Sequence, residues 1–141
     1  MVFEKAFAEK LQAFPGFKDY CATAVLSQYF FEIQDLGKIP AGHFFPKPGT
    51  DSRLLRIISK KQFGNSKNDL LFEEFTEQLF RYKNKNLRNA LQHCESWIKA
   101  RLKASNTDFE KLRENSKLME TKVYLLEINQ FVEAFNTLCS K

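Results

Sequence analysis

The amino-acid sequence predicts an all-α fold, a single domain of five or six helices. Three observations predict it. Apolar residues recur at helical spacing along most of the chain, glycine and proline cluster between those stretches, and no useful run alternates apolar with polar residues. A chain of 141 residues with 15 phenylalanines fills one core without disulfides or metal.

The first helix is expected over Val2 to Phe14, with Phe3, Phe7, Leu11 and Phe14 on one stripe, ending at Pro15-Gly16. The second, Phe17 to Asp35, carries Tyr20, Ala24, Leu26, Phe30, Phe31 and Ile33 and breaks at Leu36-Gly37. Residues 36–49 hold too many breakers for a regular element and read as an ordered loop pinned by Phe44 and Phe45. His43 belongs to that loop as a structural residue.

Thr50-Asp51-Ser52 offers N-cap chemistry to a helix bearing Leu54, Leu55, Ile57 and Ile58, which stops near Phe63-Gly64-Asn65. Asn68 is the next cap. From there Leu70, Leu71, Phe72, Phe75, Leu79, Phe80 and Tyr82 lead to a soft spot at Asn84-Lys85-Asn86, past which Leu87, Leu91, Cys94, Ile98 and Leu102 continue the period. One bent helix and two stacked helices both satisfy that pattern. Thr107-x-x-Glu110 matches a capping box and opens the longest expected helix, running to Leu138. Residues 1–141 thus form one helical domain.

The N-terminal residues mix Glu4, Lys5, Glu9 and Lys10 with apolar ones, unlike a signal peptide, and no window approaches a membrane span. The expectation is a cytoplasmic protein that does not enter a membrane. Cys21, Cys94 and Cys139 are three, widely spaced and never in a Cys-x-x-Cys pair, so no disulfide framework and no metal site is indicated. No cofactor is expected.

The net charge of +5 is unevenly spread. Arg53, Arg56, Lys60, Lys61 and Lys67 occur without an acid between them; an acidic stretch from Asp69 to Glu77 follows, and then Arg81, Lys83, Lys85, Arg88, Lys99, Arg101 and Lys103. Two basic helices side by side would present a surface to a phosphate backbone. Arg53, Arg56, Lys60, Lys61, Arg81, Lys83, Lys85, Gln92 and Lys99 are the candidate nucleic-acid contacts, with RNA the expected partner. A solvated face with no partner is the alternative.

On a helical wheel Leu87, Leu91, Cys94, Ile98 and Leu102 share the core face, which leaves Arg88, Asn89, Gln92 and His93 on the polar half. An imidazole beside an arginine has the ingredients for metal-free RNA cleavage: His93 moves a proton and Arg88 offsets charge growing on the phosphate oxygens. Asn89 orients the ring or holds the phosphate. One histidine supplies one acid-base group, so a homodimer would complete the chemistry.

Arg88-Asn89-x-x-x-His93 resembles the Arg-polar-x3-5-His signature of the HEPN superfamily, helical domains that include metal-independent endoribonucleases, toxins and antiviral defence components. The resemblance implies that Arg88, Asn89 and His93 are the catalytic residues, in a basic cleft shared by two protomers. It also implies an inhibitory or complex-forming protein partner. Two further readings stand beside it: a non-catalytic RNA- or DNA-binding subunit of a CRISPR-type complex, and a protein-interaction domain docking through its last helix.

Overall fold

The first half of the chain is not all-α: Val2–Glu4 (β1), Phe31–Ile39 (β2) and Ser52–Ser59 (β3) form an antiparallel sheet in the order β1-β3-β2. The structure, a computed structural model, describes residues 1–60 and 66–139. It divides into two units, Met1–Gly64 and Asn65–Lys141.

In the first unit the sheet is accompanied by two helices, Lys5–Leu11 (α1) and Ala22–Phe30 (α2), and a 3-10 turn at Ala41–His43. The helix expected over Val2 to Phe14 therefore gives its first residues to a strand, and the one expected over Phe17 to Asp35 stops at Phe30. The backbone of Phe31 is already extended, with φ −132° and ψ 148°.

The helix expected after Thr50-Asp51-Ser52 is instead the central strand. Leu54, Leu55, Ile57 and Ile58 occupy both faces of β3, so their paired spacing imitates a helical period. Asp51 caps no helix; its carboxylate accepts the Ala41 N–H at 2.9 Å and meets Lys38 at 2.8 Å. That carboxyl is held below its ordinary value by the Lys38 hydrogen bond, helped by the Ala41 N–H.

Ile33 lies opposite Ile57 and Asp35 opposite Leu55. Leu55 packs with Ala8 and Leu11 of α1, with Phe3, Ile33 and Ile57 around them. The pairing slips between Asp35 and Gly37, where Leu36 is the extra residue. Gly37 sits at φ +132°, a region only glycine visits freely, so the bulge requires it.

The second unit is built from Ser66–Phe80 (α3), Leu87–Leu102 (α4), Asn106–Arg113 (α5), Ser116–Glu120 (α6) and Ile128–Leu138 (α7), with a 3-10 turn at Val123–Leu125. Phe72, Phe75 and Leu79 of α3 are fully buried, as are Leu87, Ala90 and Ile98 of α4 and Phe131 of α7. The Phe135 ring meets Phe72 edge-on at 5.4 Å and Phe75 at 5.7 Å, and Phe80 stacks on Phe131 at 5.4 Å. These contacts join α3 to α7.

The long helix expected from Thr107 to Leu138 is three helices and a turn. Its opening box is Ser105 with Asp108, not Thr107 with Glu110. The break at Asn115 has a local cause: its side chain accepts the Leu118 N–H at 3.2 Å and starts α6. Thr121 then turns extended, and Glu127 with Gln130 forms the box that opens α7.

Candidate nucleic-acid interface

The short connection between α3 and α4 carries Arg81, Lys83 and Lys85, all exposed. It is held by backbone hydrogen bonds to a distant segment. Tyr124 N–H donates to Lys83 at 3.2 Å, Val123 N–H to Lys85 at 3.1 Å, and Leu87 N–H to Thr121 at 2.9 Å. An isolated β-bridge between Asn86 and Lys122 results, which brings the exposed Lys122 alongside the basic connection.

Asn86 caps α4, its side chain accepting the Asn89 N–H at 3.0 Å. Arg88 and Asn89 thus occupy the first turn of α4 and are exposed, while Leu87, Ala90, Leu91 and Cys94 face inward. His93 is exposed one turn on. Its ring stacks on Tyr82 with centroids 4.7 Å apart and planes 11° from parallel.

Behind this surface the cations are spent. Arg101 grips Glu74 in a fork, with Nη2 2.9 Å from Oε2 and 3.2 Å from Oε1, tying α4 to α3. Lys99 pairs with Glu95 at 3.0 Å and sits 5.9 Å from the Phe109 ring centre. The Cys94 thiol, buried and directed at the Gln78 carbonyl, is pushed up by burial; the Arg81 charge works against that shift.

Of the residues named from the sequence, Arg81, Lys83, Lys85, Arg88, Asn89, Gln92 and His93 come together at the α3–α4 turn and the start of α4. Arg53, Arg56 and Lys60 do not form a second basic helix. Arg53 is in β3, its guanidinium on Asp35 at 2.8 Å. Burial alone would raise the Asp35 carboxyl, but hydrogen bonds from Arg53, the Gly37 N–H and Gln12, with the Arg53 charge, hold it below its ordinary value.

Arg56 is exposed on the same strand, and Lys60 donates to the Gln28 carbonyl at 2.7 Å. Lys61 and the helix stop near Phe63-Gly64-Asn65 lie outside the described residues. His43 is exposed in the 3-10 turn.

Three residues of this region escaped the sequence reading. Tyr82 falls on the apolar stripe by spacing, yet it is half-buried under His93. Lys122 arrives through the bridge to Asn86, and no local pattern announces that pairing. Arg113, the last residue of α5, lines a small cleft with Arg88 and Gln92.

Among the described residues no three His, Cys, Asp or Glu side chains are placed to hold a metal ion. No helix among them is long and apolar enough to cross a membrane.

The family model described as Ribosomal RNA adenine dimethylase matches residues 1–138. A ribosomal RNA small subunit methyltransferase A from Treponema denticola is 37% identical over 97 residues, which are 69% of this chain and 32% of that protein. A probable ribosomal RNA small subunit methyltransferase A from Methanococcus aeolicus is 30% identical over 148 aligned positions, 98% of this chain and 52% of that one. The chain therefore spans about a third to a half of the length of these relatives.

The fold is shared with a dimethyladenosine transferase from Plasmodium falciparum, at a TM-score of 0.71 and 19% identity over 94% of this chain and 54% of that one. The 23S rRNA methyltransferase ErmE matches at a TM-score of 0.60 and 20% identity, over 98% and 53%.

These findings overturn the HEPN resemblance. It rested on Arg88-Asn89-x-x-x-His93 alone, whereas the dimethylase match runs through both units. The endoribonuclease reading and its toxin and defence roles fall with it, as do the CRISPR-subunit and protein-interaction alternatives. Arg88, Asn89 and His93 are left without the cleavage reaction that made them catalytic.

Proposed function

Because the chain belongs to the ribosomal RNA adenine dimethylase family, we propose that it serves in the dimethylation of adenine in small-subunit ribosomal RNA, with its helical unit holding that RNA. The observation that carries this reading is the cluster of Arg81, Lys83, Lys85, Arg88 and Lys122 around the Tyr82–His93 stack. Those five cations have no ion pair among the described residues, while Lys99 and Arg101 nearby are neutralised. Unpaired Lys and Arg attract phosphates, and a flat aromatic pair suits an unstacked base, the part of RNA that proteins read most readily. The names of the bacterial and archaeal relatives favour small-subunit RNA over large-subunit RNA.

Dimethylation also needs a methyl donor. The cleft beside α4 has a volume of about 80 Å³. Sites for molecules of nucleoside size and above run from roughly 300 Å³ upward, so that cleft does not fit such a donor. No methyl-transfer step is assigned to these side chains; their part is to bind and orient RNA.

The test is binding of a labelled small-subunit RNA fragment between about 50 and 200 mM salt, the range over which phosphate contacts weaken. The expected result is a steep salt dependence whose slope drops by about 3 when Arg81, Lys83 and Lys85 are all changed to Glu. Equal affinity and slope for the two proteins would overturn the reading.

A further inference from the structure

We infer that the cleft between α4, α5 and α6 is a phosphate subsite in which Arg88 and Arg113 hold one phosphate group from two sides. Arg88 comes from the first turn of α4 and Arg113 from the end of α5, and both line the same space. Neither guanidinium has an ion pair or hydrogen bond among the described residues. Two uncompensated guanidiniums on one cleft repel each other, and an anion between them removes that cost while accepting several N–H bonds.

The remaining lining agrees. Gln92 adds an amide donor from the turn after Arg88. Glu95 also lines the cleft, but Lys99 holds its carboxylate at 3.0 Å and offsets its charge. Buried Phe109 and Met119 supply an apolar wall that weakens solvent screening of the arginines. The volume of about 80 Å³ is a few water molecules' worth, room for a phosphate but not for a nucleoside.

This inference deepens the RNA reading and rests on it for the source of the phosphate, a backbone phosphodiester. Free phosphate offers the same chemistry, so the experiment has two arms. In the first, anisotropy of a labelled single-stranded RNA is followed against salt for the wild type, Arg113→Ala, Arg113→Lys and Arg81→Glu, with circular dichroism checking that each variant is folded. Arg113→Ala is expected to weaken binding about tenfold at low salt and lower the slope by about 1. Arg113→Lys keeps the charge without the fork and falls between.

In the second arm, inorganic phosphate is titrated while the arginine Nε resonances are recorded. It is expected to shift those of Arg88 and Arg113, with chloride at equal ionic strength leaving them in place. The subsite is overturned if Arg81→Glu weakens RNA binding but Arg113→Ala changes neither affinity nor slope. It is equally overturned if phosphate moves neither resonance. If the wild type ignores RNA yet phosphate shifts both, the RNA reading fails and the subsite stands for free phosphate.

Discussion

The imidazole of His93 lies flat on the phenol ring of Tyr82, 4.7 Å between centroids and 11° from parallel. Tyr82 is the second residue after α3 and His93 sits a turn and a half into α4, so the stack joins the connection to the helix on the basic surface. A base laid over this pair would gain stacking that does not depend on its identity. Tyr82→Ala and His93→Ala are each expected to weaken single-stranded RNA binding about fivefold or more, stacking on one aromatic being worth roughly 1–3 kcal/mol. His93→Phe keeps a flat ring and should stay within about twofold of wild type, a small margin on that scale. Titration of a fluorescent RNA measures all three; a loss in His93→Phe matching that in His93→Ala would point to the ring nitrogens instead.

Thr76 is fully buried in α3, and its hydroxyl has no hydrogen-bond partner among the described residues. An unmatched buried hydroxyl costs about 1–3 kcal/mol. Thr76→Val replaces it with a methyl of similar size, and the expected result is a gain of about 1 kcal/mol in a urea melt. Thr76→Ala should gain less or lose stability, because it leaves a space as well.

Asp35 and Asp51 both have carboxyls held below their ordinary values, through Arg53, Gly37 and Gln12 in one case and Lys38 and Ala41 in the other. A lowered folded-state value means the charged form is favoured by folding. The stabilisation is complete above the unfolded value, near pH 4, and is lost as pH falls through the folded values beneath it. Thermal melts from pH 7 down to pH 2 should show the wild type losing stability below about pH 4. Asp35→Asn with Asp51→Asn should start lower and show less of that loss.

Cys94 is 2% exposed, and burial raises its thiol despite the Arg81 charge. Only the thiolate reacts quickly, so Cys94 is expected to resist an alkylating reagent near pH 8 while the half-buried Cys21 and Cys139 are modified. Peptide mass mapping after a timed pulse reads the order. Denaturant should bring all three to the same rate.

The core face of α4 was legible because Leu87, Leu91, Cys94, Ile98 and Leu102 repeat at a helical period with one side in water. β3 was not legible, because a central strand buries residues on both faces and its Leu-Leu and Ile-Ile pairs mimic a helix. The alternation in β2 is interrupted by the extra Leu36, which hid a strand behind the Gly37 breaker. At the site, Arg88, Asn89 and His93 were found as a polar helix face, but the chemistry attached to them came from six residues of motif. Tyr82, Lys122 and Arg113 reach the same region only through tertiary pairing, which spacing along the chain does not encode.

The bridge between Asn86 and Lys122 sets when the cost of order is met. Three backbone hydrogen bonds splint Lys83 to Leu87 against Thr121 to Tyr124, so these lysines are in position before any RNA arrives. Ordering a loose loop during binding would tax affinity and slow capture; a splinted one meets its partner ready-shaped, and encounter becomes the slow event. The segment from Thr121 to Tyr124, which carries one exposed lysine of the surface, thereby also holds the backbone that carries Lys83 and Lys85.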